Sequence, residues 1–366
     1  MSYTAKAWEP FENPIGLDGF SFLEFATPNP TQLIAAFKGF GFRCQAGNED
    51  QTISLYTQGN VNLIINNDSR SYAKAFSNRH GCVVSAMGWR VKDADFAFHE
   101  VVRLGAKPFE DSNEDSKSGL GLPAIYGVGD ILIYFVDEEG EKWLHNQFLT
   151  ANPDYLQSNL AGIEFIDHLD HLVHRGNLQY WVEFYEKLFN FKYVKYYDIQ
   201  VKITGSIFKV MASPCGKMII PIGESARGKS WVTEYLDKVG NEGVNHMAFH
   251  TANLCNAIEY MRSQGQTFLS INDQYYDSVE KQILQHGENL ERLRKNQILI
   301  DDNDQGYLLQ IFTTKDPGIE PLFFEFIYRH DFLGFGDKNV KTLLAALERD
   351  QVKRGYLKDT ETYAGV

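Results

Sequence analysis

The chain has 366 residues, 43% of them apolar and 14% aromatic, enough for two domains or one large one with a substantial core. A net charge of -13 and a pI near 5.3 exclude a broad basic face for nucleic acid, but not a local site for a small anion. Cys44, Cys82, Cys215 and Cys255 are scattered with no CxxC pair, which predicts thiols in a reducing compartment. The opening MSYTAKAWEPFENP has no signal-peptide core, and no apolar run reaches membrane-spanning length. The expectation is a soluble cytoplasmic protein that binds neither membrane nor nucleic acid.

Residues 1–15 read as a loose leader ending at Pro14. GFSFLEF, Gly19 to Phe25, is a predicted strand, followed by a short helix from Thr31 to Gly39. Val61 to Ile65 and Cys82 to Val91 are further strands. Lys92 to Gly105 has helical periodicity with a glycine stop. A Gly/Ser-rich loop precedes the strand ILIYFVD, and residues 138–162 read as a polar inter-domain connection.

The second half repeats the plan. IDHLDHLV, Ile166 to Val173, is a strand, and Leu178 to Phe189 is an amphipathic helix. GKMIIPI answers VNLII, VNHMAFHT answers the strand before Lys92, and Leu254 to Gly265 is its helix. Asp301 to Arg329 holds two apolar runs around Asp316-Pro317-Gly318, each with one polar residue inside, Gln310 in LLQIF and Glu325 in FFEFI. This is the pattern of two paired strands. A final helix is predicted from the stripe Val340, Leu343, Leu344, Leu347, with Asp337 as N-cap and the Gly334-Phe335-Gly336 turn before it. It packs on a sheet or lids a pocket. Two similar strand-and-helix modules packed around a shared core follow.

Glu325 among apolar neighbours is either on a water-facing edge or neutralised by a partner, because a bare buried carboxylate is costly. His168 and His246 lie on strands of the same module, so two imidazoles and one carboxylate can converge as a 2-His-1-carboxylate site for ferrous iron. Spacing alone does not select this set. His171, His174 and His250 are close by, and although strand parity turns His171 away from His168 and Asp170, it leaves His250 on the face of His246. The first module has Ala86 and Tyr134 where the second has His246 and Glu325, which predicts no metal there.

The motifs IDHLDHLV, WVEFYEKLFNF, GVNHMAF, LLQIF, FFEFI, GFGDKN and ERDQVKRG resemble the 4-hydroxyphenylpyruvate dioxygenase family of the vicinal-oxygen-chelate superfamily, over nearly the whole chain. The resemblance implies an α+β, glyoxalase-like fold of βαβββ modules in curved mixed sheets with a C-terminal lid helix over 337–354. It implies a metal-free structural domain at 1–150 and a catalytic domain at 151–366. It also implies one Fe(II) on His168, His246 and Glu325, O2 as co-substrate, and a homodimer or homotetramer. The family reaction turns a 2-oxo acid, 4-hydroxyphenylpyruvate, into homogentisate and CO2. Family pocket residues are matched at Gln310, Phe312, Phe323 and Phe335. Others are replaced: Phe208 stands for a serine, Gly223 for an asparagine, Trp231 and Asn245 for glutamines, and Val340 for a phenylalanine with Lys338 before it. The replacements predict a more apolar pocket. They keep open a sibling oxygenase acting on a different aryl or alkyl 2-oxo acid or at the benzylic carbon, and a non-catalytic binding protein.

Overall fold

A computed structural model describes residues 8–47, 52–110, 119–147, 159–282, 287–315 and 318–358. The first residues of the expected leader, most of the Gly/Ser-rich loop, part of the polar connection and Asp316-Pro317 of the expected turn lie outside them.

Seven strands of the first half are β1 (Leu17–Ala26), β2 (Arg43–Gly47), β3 (Ile53–Gln58), β4 (Val61–Asn66), β5 (Val83–Val91), β6 (Ala124–Tyr126) and β7 (Leu132–Val136). They form one mixed sheet in the order β2-β3-β4-β1-β5-β7-β6. The second half supplies β8 (Ile163–Leu172), β9 (Lys192–Gln200), β10 (Gly205–Ala212), β11 (Ile219–Arg227), β12 (Gly243–Thr251), β13 (Leu299–Asp302), β14 (Tyr307–Phe312) and β15 (Phe323–His330). Their order is β13-β14-β15-β12-β8-β11-β10-β9. Read from its β9 end, the second sheet reproduces the first strand for strand and adds β13 at the far edge. The pairing senses agree as well: β1 is parallel to β4 and antiparallel to β5 as β8 is to β11 and β12. Each sheet curls into a half-barrel.

Among the described residues, ten α-helices connect or cover the strands: α1 (Pro30–Gly39), α2 (Tyr72–His80), α3 (Ala94–Arg103), α4 (Glu138–Gln147), α5 (Leu178–Phe189), α6 (Trp231–Val239), α7 (Leu254–Ser263), α8 (Asp273–Gln282), α9 (Leu290–Asn296) and α10 (Asp337–Lys353). Two expectations need correction. Residues 138–147 are not irregular connection but α4, whose Leu144 is buried against Val136 and Tyr134. The N-cap of α10 is Gly336, in the left-handed region at φ 73°. Asp337 is the first helical residue, and its carboxylate accepts from Lys195 Nζ and Tyr197 Oη, both at 3.0 Å.

Strand alternation divides each sheet into two faces. One face of both sheets drains into a single core. Phe37 of α1 lies 5.2 Å from Phe25 and 6.1 Å from Phe324, and Phe40 lies 5.1 Å from Phe326. Reciprocally, Phe189 of α5 meets Trp89 of β5 at 4.7 Å. Each half therefore covers the other's back. The opposite faces are cups. In the first, Phe22, Ala86, Leu132 and Tyr134 form an apolar plug. Gly88 lies opposite both Phe22 and Tyr134 in the register, and a Cβ there would strike the Phe22 ring.

His171 lies in the shared core, fully buried, with Nδ1 on the Leu169 carbonyl at 3.1 Å and its ring 5.8 Å from Tyr185. Burial pushes its pKa down to about 3. The unfolded chain takes up this proton as pH falls through about 6.5 and the folded chain does not, so stability is lost on acidification. Replacing His171 with Leu is expected to flatten the denaturant midpoint between pH 7.5 and 5, removing up to about 2 kcal/mol of acid sensitivity. An unchanged pH dependence would contradict this.

Candidate metal centre

The cup of the second sheet is built differently. In the register Ala248 of β12 stands between His168 of β8 and Glu325 of β15. It repeats the position of Gly88 between Phe22 and Tyr134, with chemistry in place of the plug. His246, two residues before Ala248, faces the same cup. His168 Nε2 and Glu325 Oε2 are 3.2 Å apart, His246 Nε2 and Glu325 Oε2 are 3.4 Å, and the two imidazole Nε2 atoms are 3.3 Å. Three adjacent ligands each about 2.1 Å from one ion are separated by about 3.0 Å, so this triangle fits a shared metal. It is the metal-competent group of His, Cys, Asp and Glu found among the described residues.

Two irregularities in strand pairing make the site. Ala248 pairs with His168 but Phe249 pairs with Ile166, so Asp167 is an extra residue on β8. The bulge lets neighbours act together: Asp167 Oδ1 accepts from His168 Nδ1 at 2.8 Å, leaving Nε2 for the metal face. Arg329 of β15 grips Asp167 with Nε at 2.7 Å and Nη2 at 2.8 Å. Burial opposes the Asp167 charge, but Arg329 outweighs it and holds the carboxyl well below its ordinary range. The second bulge leaves Asn245 unpaired between Val244 and His246. Its amide turns to the Pro321 carbonyl at 3.0 Å and not to the cup. Asp170 Oδ2 lies 3.4 Å from His246 Nδ1, close enough for an ion pair but without the hydrogen bond that Asp167 makes to His168.

Burial opposes every charge here; opposite charges win at His246, His168 and Glu325, whereas at Asp170 burial wins and holds the carboxyl above its ordinary range. His246 is held up to about 9 by Asp170 and Glu325, and His168 is raised by Glu325 and Asp167. Glu325 is pulled down to about 2 by the two imidazoles. The neighbouring histidines are accounted for elsewhere. His250 pairs with Glu164 at 3.0 Å and stacks on Phe165 at 4.6 Å, His171 is in the core, and His174 is exposed.

Beside the triad is a small cavity of about 60 Å³. Phe208, Trp231, Gln310, Phe312, Phe335 and Val340 line it, together with Leu343 and Leu344 of α10. Phe323 stands behind the lining, stacked on His246 at 5.0 Å. Gly223 and Asn245 do not line it. Gly223 pairs with Phe208 across β10 and β11, and the Phe208 ring occupies the space a Cβ at 223 would need. Phe208 in turn stacks on Trp231 at 6.0 Å and 18°. Sequence reading missed Asp167, Asp170, Arg329, Tyr197 and Asn339 as parts of the site. The first two stand in IDHLDHLV, where the carboxylates flanking a strand histidine were the available signal.

Phe335 packs on His168 at 5.0 Å and lines two cavities, the small one and an open cleft of about 860 Å³ between the halves. Asp167 and Arg329 form part of that cleft's wall.

Known proteins align with this architecture. The family profile "Hydroxyphenylpyruvate dioxygenase, HPPD, N-terminal" matches residues 11–148, and "Glyoxalase/Bleomycin resistance protein/Dioxygenase superfamily" matches 166–290. A 4-hydroxyphenylpyruvate dioxygenase of Legionella pneumophila (strain Philadelphia 1) is 40% identical over 350 residues, covering 95% of this chain and 98% of that protein. One from Pseudomonas sp. (strain P.J. 874) is 39% identical, covering 95% and 98%. Hemolysin VllY of Vibrio vulnificus is 38% identical, covering 94% and 98%. Among solved structures, a mutant 4-hydroxymandelate synthase from Streptomyces coelicolor superposes with TM-score 0.76 at 22% identity, covering 92% of this chain and all of that one, a likeness of fold. With the profile match over residues 11–148 and 39–40% identity across nearly the full length of both chains, the chain belongs to the 4-hydroxyphenylpyruvate dioxygenase family.

Proposed function

We propose that this chain is an Fe(II)-dependent dioxygenase that converts 4-hydroxyphenylpyruvate and O2 into homogentisate and CO2. The observation that carries the reading is the triangle of two imidazole nitrogens and one carboxylate oxygen, 3.2–3.4 Å on each side, in one cup of the fold. Two relatives named for this activity share 39–40% identity over 95% of the chain. His168, His246 and Glu325 would hold the iron. When bound, ferrous iron supplies redox chemistry and open positions for a chelating 2-oxo acid and for O2.

The protein's own work is positioning and exclusion. Asp167 orients the His168 imidazole with Nε2 toward the metal face, and the Asp170 carboxyl faces His246 Nδ1 at 3.4 Å. Arg329 keeps Asp167 ionised. Gln310 donates from Nε2 to Glu325 Oε1 at 2.8 Å, leaving Oε2 for the metal. Phe312, Phe323, Phe335 and the apolar side of α10 keep water from the reacting atoms. In this reading residues 1–150 are a metal-free structural domain whose cup is plugged, and residues 151–366 are the catalytic domain. The enzyme serves tyrosine catabolism in the cytoplasm as a homodimer or homotetramer. In keeping with that, no described helix is long and apolar enough to cross a membrane.

A second reading keeps the chemistry and changes the substrate to a more apolar aryl or alkyl 2-oxo acid. The cavity favours it: apart from the triad, Asp170 and Gln310, its lining is apolar or aromatic, and Tyr197 already donates to Asp337. A phenol would find few free partners there, and unpaired polar groups are what selective pockets reject.

Replacing His246 or Glu325 with Ala is expected to lower substrate-dependent O2 uptake by more than about a hundredfold, beyond the 10–100-fold cost typical of losing an outer partner of a ligand. Near-normal uptake in either variant would contradict the metal site. Assayed side by side, 4-hydroxyphenylpyruvate is expected to give homogentisate, identified by mass and NMR. A kcat/KM more than about tenfold higher for phenylpyruvate or 4-methyl-2-oxopentanoate would replace the first reading with the second. Gly223→Ala is expected to destabilise by about 1–3 kcal/mol through collision with Phe208, and Phe208→Ala in the same chain to recover most of it. Additive losses in thermal unfolding would disprove the coupling.

A further inference from the structure

We infer that Asn339 of α10 is a positioning residue that ties the metal-ligand carboxylate to closure of this helix. The inference rests on the metal-site reading above. Glu325 Oε1 accepts from Gln310 Nε2 at 2.8 Å, Gln310 Oε1 accepts from Asn339 Nδ2 at 3.0 Å, and Asn339 Oδ1 accepts from Tyr275 Oη at 2.9 Å. Tyr275 Oη itself receives the Ile300 amide at 2.8 Å, and the Ile300 carbonyl at 2.7 Å shares its single proton with Asn339. Glu325, Gln310 and Asn339 are buried, and Tyr275 is half-buried.

The direction of this relay is dictated from one end. An ionised carboxylate only accepts hydrogen bonds, so Gln310 must present its NH2 to Glu325 and therefore its carbonyl to Asn339. Asn339 must then present its own NH2 to Gln310 and its carbonyl to Tyr275. Turning any amide over would set two acceptors face to face in a site without competing solvent. The orientation of Gln310 thus depends on a donor that arrives only with α10. Gly336, the N-cap of that helix, permits the approach. It has φ 73°, and a Cβ there would come within 3.0 Å of Gln310 Oε1.

Substrate entry has to disturb this contact. The cavity of about 60 Å³ is roofed by Val340, Leu343 and Leu344, and occupied ligand pockets are typically about 300–1,000 Å³. The other anchors of α10 hold its position without touching the triad. Glu348 accepts from the Ile203 and Thr204 amides at 3.0 and 2.9 Å. Glu234 accepts from Gln351 at 3.1 Å and from Arg354 at 3.0 Å. Asn339 is where this helix, among the described residues, enters the hydrogen bonding of a metal ligand. With α10 lifted, Gln310 loses its donor and Glu325 Oε1 loses an oriented partner. The ligand carboxylate is set only when the helix is shut over the substrate.

The test uses the full-length enzyme with Co(II) as metal probe. Its affinity is measured by chelator competition and its coordination by the visible spectrum, alongside kcat, KM and the ratio of O2 consumed to product formed. Asn339→Asp keeps the side chain's size but offers Gln310 no donor. It is expected to weaken Co(II) binding about tenfold or more, alter the spectrum, lower kcat with little change in KM, and consume O2 in excess of product. Tyr275→Phe, which frees only the far end of the relay, is expected to shift each readout less and in the same direction. Asp337→Asn loosens the Lys195 and Tyr197 anchors of the same helix without touching the relay, and is expected to shift the Co(II) spectrum in the same direction as Asn339→Asp but less. Wild-type Co(II) affinity and spectrum in Asn339→Asp would overturn the inference while leaving the metal site intact. Failure of the wild-type enzyme to bind one Co(II) per chain, or equal binding by His246→Ala, would remove the metal-site reading and this inference with it.

Discussion

Glu325 has almost no water around it, and the fold has to answer for that charge. A carboxylate so placed persists only where cations or donors replace solvent. Here two imidazoles face one oxygen and a glutamine amide faces the other. Each answer needs its own support, and the support runs outward. His168 leans on Asp167, Asp167 leans on Arg329, His246 leans on Asp170, and Gln310 leans on Asn339. Elements far apart in sequence are thereby bound to one group of atoms.

The two halves show what happens when that demand is absent. Their sheets share strand order and pairing sense. Phe22 and Tyr134 stand at register positions matching His168 and Glu325, with Gly88 between them as Ala248 stands between the ligands. In the first cup aromatic rings fill the space, and stability comes from packing. In the second, charges occupy it and apolar residues retreat to its rim. Glu24, at the register position of Asp170, keeps its carboxyl buried with Asn66 and Ser85 as hydrogen-bond partners at 2.7 and 2.9 Å. The shared back faces, joined by α1 and α5, let the plugged half brace the other.

Much of this was legible in the residues. Period-2 alternation found β8, β12, β14 and β15, and 3.6-residue periodicity found α5, α7 and α10, because long patterned segments bury one face. Parity put His171 behind the sheet, where it is. Parity could not separate His250 from His246, since the partner that claims His250 is Glu164, on a neighbouring strand. The bulges at Asp167 and Asn245 were invisible for a related reason: a bulge is a property of two strands in register, and one strand read alone keeps perfect alternation. Asn245 was therefore expected beside the pocket and in fact reaches Pro321. Phe208 and Gly223 were read as two separate departures from the family pattern. They are one feature, a ring lying over the place of an absent side chain. The α4 helix was read as a connection because its charged residues mask the buried Leu144.

One ferrous ion held by His168, His246 and Glu325 is the centre of the proposed function, and iron K-edge X-ray absorption of the purified protein reconstituted anaerobically tests it most directly. The expected result is one iron per chain, with two imidazole nitrogens and a carboxylate oxygen in its first shell at about 2.0–2.2 Å. The imidazole scattering should be lost in proportion when His168 or His246 is replaced. Iron absent, or bound with a shell unaltered by those replacements, would contradict it.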